Sequence, residues 1–337
     1  MKSIVIDVHA HFAPKLIAER FEANKDKFPD AKLVKDEKSV TLQFPGTQPT
    51  RPIMPGLSDL AGRQAWMDKS GIDHQIIGGW LDSFGYELPA QQGLAWSRYL
   101  NDCMWDQFRD ERRFSALATV PLQDGKLAAE VLGEAMERGF AGVMIGTLPK
   151  GEHGGNLDDP SLDPFWETAA KLKAAVVMHP MFVCGEPRLA DYDLVNAIGR
   201  LVDSTIAVSR LLFSGHLLKH TGMHFLLCHG GAALPFGLGR LARSHTAQAG
   251  KVADPRKGFA TMYFDSCVFD TDSLDYLIKK AGAGRVMLGS DAPFPIGDPE
   301  PLKVFEGADL TEAEKKMILT ETAQKIFRLR ADVWTRS

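Results

Sequence analysis

The stretch Ser3-Ile4-Val5-Ile6-Asp7-Val8-His9-Ala10-His11 decides how this chain is read. Its apolar run predicts a buried β-strand over Ile4–Val8. Residues two apart on an extended chain point to the same side, so His9 and His11 can grip one metal ion from one wall. A lone His-x-His pair is weak evidence, because histidine is often a satisfied core or surface residue. Three further stretches repeat the design. Val176-Val177-Met178-His179, Met223-His224-Phe225-Leu226-Leu227-Cys228-His229 and Arg285-Val286-Met287-Leu288-Gly289-Ser290-Asp291 are apolar runs that each end in a ligand-type side chain. Four such strand ends imply one metal centre at one rim of a barrel. Neutral imidazole and carboxylate suit a borderline cation such as Zn²⁺, and a catalytic site keeps a position open for water.

Working outward, eight strands are expected: Ile4–Val8, His74–Gly79, Ser115–Val120, Ala141–Ile145, Ala175–His179, His224–Cys228, Thr261–Asp265 and Arg285–Leu288. Several are continuous apolar runs, as in strands covered on both faces of a parallel sheet. Helical spacing fills segments between them, among them Asp124–Arg138, Ser161–Lys173 and Asp191–Ser214. Thr311-Glu312-Ala313-Glu314 is a capping-box start for the final helix. Eight alternating units in 337 residues predict an α/β fold, a (β/α)₈ TIM barrel, as one domain over 1–337. Residues from about Lys25 to Pro55 break the alternation. Lys32-Leu33-Val34-Lys35 and Ser39-Val40-Thr41-Leu42-Gln43-Phe44, followed by five prolines and glycines, predict a small β-rich insertion after the first strand and a Pro-rich return. Loops after barrel strands build the active-site face, so this insertion is expected over the metal.

Composition bounds the function. A net charge of −4, with 45% hydrophobic and 24% charged residues, is that of an ordinary globular chain with no basic stripe for nucleic acid. No apolar run reaches the roughly 18 residues of a membrane span. Cys103, Cys184, Cys228 and Cys267 show no CxxC spacing, which argues against a cysteine zinc site or a disulfide framework and for a cytoplasmic protein.

Five segments carry a family resemblance: Ile6-Asp7-Val8-His9-Ala10-His11-Phe12, Val120-Pro121-Leu122-Gln123-Asp124, Met178-His179-Pro180, Cys228-His229-Gly230-Gly231 and Leu288-Gly289-Ser290-Asp291-Ala292-Pro293-Phe294-Pro295. Together they resemble the metal-dependent decarboxylase branch of the amidohydrolase superfamily over nearly the whole chain. The resemblance implies that His9, His11, His179 and Asp291 bind one divalent ion, normally Zn²⁺ with Mn²⁺ as the other option, and that His229 is the acid/base beside it. Members with two metals carry a modified lysine after the fourth strand. Here that strand reads Ala141-Gly142-Val143-Met144-Ile145, and Lys150 lies beyond its end, so one metal is expected. Related hydroxybenzoate decarboxylases begin with Glu-x-His, and the His9/His11 pair leans away from them. For Asp291 the competing role is a helix N-cap before Ala292-Pro293. His74, His216, His220, His224 and His245 are expected in the core or on the surface.

By the same resemblance Arg51 and Arg240 hold substrate carboxylates, Arg240 reaching into a neighbouring subunit of a homodimer, and Phe294 lies near the substrate. Planar guanidinium forks suit that task. Trp80 and Tyr86 follow the second strand and could line the pocket or pack in the core. The family's tryptophan after the fifth strand is absent: Phe182, Val183, Cys184, Gly185 and Tyr192 stand there. The reaction expected is non-oxidative decarboxylation of a small unsaturated or aromatic carboxylate, with the metal and His229 delivering a proton to the carbon that loses CO₂. The alternatives are a hydrolase or hydratase using the same water, and a non-catalytic barrel.

Overall fold

Apolar runs become strands here because helices cover one face of the sheet and packed side chains fill the other. The computed structural model describes residues 4–35, 39–181 and 185–329. Among them lie ten strands: β1 (Ile6–Phe12), β2 (Lys32–Lys35), β3 (Val40–Gln43), β4 (His74–Gly79), β5 (Phe114–Ala118), β6 (Gly142–Ile145), β7 (Ala175–Met178), β8 (His224–Leu227), β9 (Tyr263–Asp265) and β10 (Val286–Met287). Eight form one parallel sheet in the order β1-β4-β5-β6-β7-β8-β9-β10. Backbone bonds join its two ends. Val8 N–H donates to the Leu288 carbonyl at 2.9 Å and His11 N–H to the Ala292 carbonyl at 2.8 Å. The architecture is a (β/α)₈ barrel, and Ile6, Val8, Val176, Leu226 and Val286 are fully buried in its wall.

Seven of the eight expected barrel strands differ from the sequence reading by a residue or more at an end, and three differences bear on the site. β1 does not stop at Val8 but runs through both histidines to Phe12, with a register shift between Asp7 and Ala10. The polar imidazoles ended the apolar run on paper, whereas the backbone stays paired on both sides. β10 is shorter than Arg285–Leu288, because Ser290 and Asp291 leave the ladder to donate to the His9 carbonyl. The segment Asp191–Ser214 is helical only in part: a wide π-turn, Val195–Gly199, leads into the helix Arg200–Ser214.

A buried polar seam holds β1 in place. The Asp7 carboxylate accepts from Ser290 Oγ at 2.5 Å and Gln75 Nε2 at 2.7 Å. Arg63 donates to Gln75 at 2.8 Å and to the His11 carbonyl at 2.9 Å. These bonds satisfy groups whose burial unpaired would cost about 1–3 kcal/mol each.

β2 and β3 form the antiparallel hairpin of the insertion, Lys32 opposite Gln43. Leu42 and Phe44 pack into a satellite core with Phe21, Phe28 and the helix Ala90–Phe108 through Trp96 and Tyr99. The return strand pairs with β3 through Thr50 N–H to the Leu42 carbonyl at 2.7 Å, which carries Arg51 toward the turn after β4. The capping box of Thr311 and Glu314 is formed. No helix among the described residues is long and apolar enough to cross a membrane.

Candidate metal centre

Strand β1, the ends of β7 and β8 and the segment after β10 bring five side chains to one rim. His9 Nε2 lies 3.2 Å from His11 Nε2 and 3.3 Å from Asp291 Oδ1. Asp291 Oδ1 is 3.2 Å from His11 Nε2 and 3.8 Å from His179 Nε2. Ligands about 2.0–2.1 Å from a tetrahedral cation stand roughly 3.4 Å from one another. The four candidate ligands therefore have the spacing of one coordination shell. Asp291 caps no helix; its φ of +58° turns the carboxylate onto the histidines.

The ring orientation is set from behind. His9 Nδ1 meets Asp265 Oδ2 at 2.6 Å, His11 Nδ1 the Gly79 carbonyl at 3.0 Å, and His179 Nδ1 the Pro180 carbonyl at 2.9 Å. An acceptor at Nδ1 fixes the proton there and leaves the Nε2 lone pair for a cation. Asp265 is itself fixed by the N–H groups of His229 at 3.0 Å and Gly230 at 2.8 Å. A Cβ on Gly289 would stand 2.7 Å from Asp265 Cβ and 3.0 Å from His9 Cβ, so only glycine admits the pair.

The charges are those of a cation site. Burial raises and the facing histidines more strongly lower the proton affinity of Asp291, which stays well below the carboxylate range. Burial, opposed by Asp291 and reinforced by the facing His11, His229 and His9, holds His179 well below the usual imidazole value. His9 goes the other way: burial would lower it, but Cys228, Asp291 and Asp265 lift it well above. A buried carboxylate that draws positive charge to its centre, with His179 Nε2 and Asp291 Oδ1 buried and lacking hydrogen-bond partners, fits a divalent ion.

His229 stands beside this shell, its Nε2 3.4 Å from Asp291 Oδ2. It adopts φ +57°, a left-handed conformation that costs a non-glycine residue of order 1–3 kcal/mol. Gly230 follows at φ +60°, where a Cβ would strike Val268. His229 and Asp291 open onto a cavity of about 620 Å³ whose wall includes Arg200, Phe236, Val268, Phe269 and Tyr276.

The remaining candidates are dispersed. Phe294 packs its ring 5.1 Å from the ring of His11. Arg51 is half exposed and pairs with Asp82 at 3.1 Å. Arg240 is exposed on the helix Leu234–Ala247. Trp80 and Tyr86 are buried in the core. His74 meets Ser115 Oγ at 2.9 Å, His245 the Val252 carbonyl at 3.0 Å, and His224 starts β8 at the far end from the rim. Phe182, Val183 and Cys184 lie outside the described residues. Sequence reasoning missed two residues. Asp265 ended a predicted strand at this rim, the same signal that singled out Asp291. Arg200 had no signal beyond its charge.

The amidohydrolase family model matches residues 6–329, and the chain belongs to that family. Over 271 residues it is 30% identical to the 2-amino-3-carboxymuconate-6-semialdehyde decarboxylase of Dictyostelium discoideum, covering 78% of this chain and 75% of the relative. Over 290 residues it is 27% identical to a gamma-resorcylate decarboxylase of Polaromonas sp., covering 78% and 85%. The crystal structure of a dihydroxybenzoic acid decarboxylase from Polaromonas sp., with manganese and 2-nitroresorcinol bound, superposes with a TM-score of 0.78 at 22% identity, covering 99% of this chain and 100% of that one. Within its family the chain is a metal-dependent decarboxylase, a carboxy-lyase.

Proposed function

We propose that this protein removes CO₂, without oxidation, from a small unsaturated or aromatic carboxylate such as a carboxymuconate semialdehyde. The observation that carries the reading is the convergence of His9, His11, His179 and Asp291, with His179 Nε2 and Asp291 Oδ1 orphaned, behind a cavity lined by Asp291 and His229. These four residues would hold one divalent ion, Zn²⁺ or Mn²⁺. When bound, such an ion supplies Lewis acidity, easing loss of a proton from water and offsetting carboxylate charge.

The chain's own groups do the rest. His229 Nε2 carries the proton and gives it to the carbon that bears the leaving carboxylate. The bond from that carbon to the carboxylate then breaks, its electron pair stays with the carbon skeleton, and CO₂ departs. Asp291 holds the imidazole in line through Oδ2. Arg51 and Arg240 bind carboxylate oxygens, and Phe294 lies against the planar substrate.

The reading also takes the protein as a cytoplasmic homodimer in which Arg240 serves the partner's cavity. Ile198, Val202 and Ile206 expose one apolar stripe at i, i+4, i+8, and Phe236, 85% exposed, stands on the neighbouring helix. Exposed apolar surface of this kind marks a protein contact. Mixing Arg240→Ala and His229→Asn chains should return activity toward half that of wild type per mixed dimer, since one of its two sites is intact. A monomeric active enzyme ends this part of the reading.

The test of the reaction is a screen of carboxymuconate semialdehydes, hydroxybenzoates and unsaturated dicarboxylates against the metal-loaded protein. Stoichiometric CO₂ is expected. A product heavier by one water, with no CO₂, would make the protein a hydratase.

A further inference from the structure

Arg200 opens the helix Arg200–Ser214, and its guanidinium turns back toward the rim. Nε donates to Asn196 Oδ1 at 2.7 Å and Nη1 to the Pro180 carbonyl at 3.3 Å. The same carbonyl faces His179 Nδ1 at 2.9 Å. One backbone oxygen thus separates the guanidinium from a candidate metal ligand. Arg200 also lines the 620 Å³ cavity beside His229 and Asp291, where much of the wall is apolar: Val268, Phe269 and Leu277.

The electrostatics agree with this geometry. Burial lowers the proton affinity of Arg200, and Asp291, Asp82 and Asp203 act against burial without cancelling it, while Arg51 adds to the lowering. A half-buried cation whose desolvation is only partly offset by its surroundings gains most from an anion that arrives with the ligand. A guanidinium tied to Asn196 and the Pro180 carbonyl has little rotational freedom left to lose when it closes on a carboxylate.

We infer that Arg200 is a carboxylate anchor within this chain's own cavity, holding an acidic group of the substrate other than the one removed. The inference rests on the decarboxylase reading and sharpens its substrate class. His229 comes from the end of β8 and Arg200 from the segment after β7, so they meet two different substituents of one planar molecule. The substrate then carries two acidic groups: one lost as CO₂ beside His229, one kept and held by Arg200.

Arg200 has a rival role, which is to position His179 through the shared Pro180 carbonyl. Calorimetric titration separates the two. Benzoate and benzene-1,3-dicarboxylate are titrated into the metal-loaded wild type, Arg200→Met and Arg200→Lys, with metal content measured on each. The wild type should bind the dicarboxylate roughly 10- to 100-fold more tightly than benzoate. Arg200→Met should erase that preference, with benzoate affinity and metal content unchanged; Arg200→Lys should keep part of it. Equal affinity for the two probes in wild type, or no binding of either, overturns the anchor. So does metal loss in Arg200→Met, or equal weakening of both probes, which would mark a positioning residue. No turnover is needed, so a retained preference without CO₂ release would refute the reaction and leave the anchor standing. CO₂ release without the preference would do the reverse.

Discussion

Two clusters in this molecule use the same side chains at similar spacing. At the rim, the Nε2 atoms of His9, His11 and His179 stand 3.2–3.8 Å from Asp291 Oδ1, and those of His9 and His11 lie 3.2 Å apart. Outside the barrel, between the helix that leads into β7 and the turn that leads into β8, His216 Nε2 and His220 Nε2 face Asp163 Oδ1 at 3.4 and 3.9 Å. In both places imidazole nitrogens and a carboxylate oxygen are buried and lack hydrogen-bond partners among the described residues. They differ in charge and access. Lys219 already places an ammonium 2.8 Å from the other oxygen of Asp163, whereas among the described residues the second oxygen of Asp291 meets an imidazole, His229, and no cation side chain. The rim opens onto a large cavity, and the outer cluster belongs to no cavity wall among those described. Ligand-type residues at ligand spacing are therefore not enough; uncompensated negative charge and an open face separate a catalytic centre from a packed polar contact.

The largest effect should come from deleting a ligand in each cluster. Purified wild type should hold about one divalent ion per chain. His179→Ala should lose metal and activity together, while His220→Ala keeps both. At a free metal concentration of 100 Kd, binding should stabilise wild type by about 2.7 kcal/mol and His179→Ala not at all. Two ions per wild-type chain, one of them lost in His220→Ala, would break the comparison.

Next in size is the residue beside the rim shell. His229→Asn should retain the metal while kcat falls roughly 10²–10⁴-fold. Loss of metal would make His229 a ligand; unchanged turnover would make it structural.

Asp265 should show a smaller effect. Its carboxylate, 2.6 Å from His9 Nδ1, sets the tautomer that aims Nε2 inward. Asp265→Asn should weaken metal affinity roughly 10–100-fold, measured by competition with a chelating dye, with Asp291 and the other ligands intact. An unchanged affinity would mean that the orientation of His9 is set by strand β1 alone.

How far the sequence reached follows from the same contrast. His9, His11, His179 and Asp291 were legible because strand periodicity and apolar runs report directly where a side chain points. β1 was read too short because the histidines that make the site also end its apolar pattern. His216 and His220 looked like core or surface residues and lie in the core. The anchors could not be read so easily. Asp265 meets His9 across 256 positions of chain, and that proximity comes only from barrel closure. Arg200 follows a π-turn in a stretch whose spacing read as plain helix, so nothing local separated it from the other arginines.

The smallest effect sharpens the outer side of the comparison. Burial lowers the proton affinity of both His216 and His220; Asp163 opposes this at His216, and Lys219 reinforces it at His220. Their folded-state values thus lie below the unfolded value near 6.5, so the unfolded chain binds more protons as pH falls through that range. The stability these neutral histidines support is present above about pH 6.5 and is lost as pH falls toward their folded values. The ceiling is one proton each, a slope of ~1.4 kcal/mol per pH unit per histidine. Urea unfolding in excess chelator, from about pH 7.5 to about pH 5, should give a flatter stability curve for His216→Gln/His220→Gln than for wild type. The rim residues are the same in both proteins, so their contribution cancels in the difference. The same measurement in a His179→Ala background, with and without chelator, tests the outer cluster for a cation. If chelator changes nothing there, Asp163, His216 and His220 are a neutral packed contact, and a loss of stability on chelation would make them a second metal site.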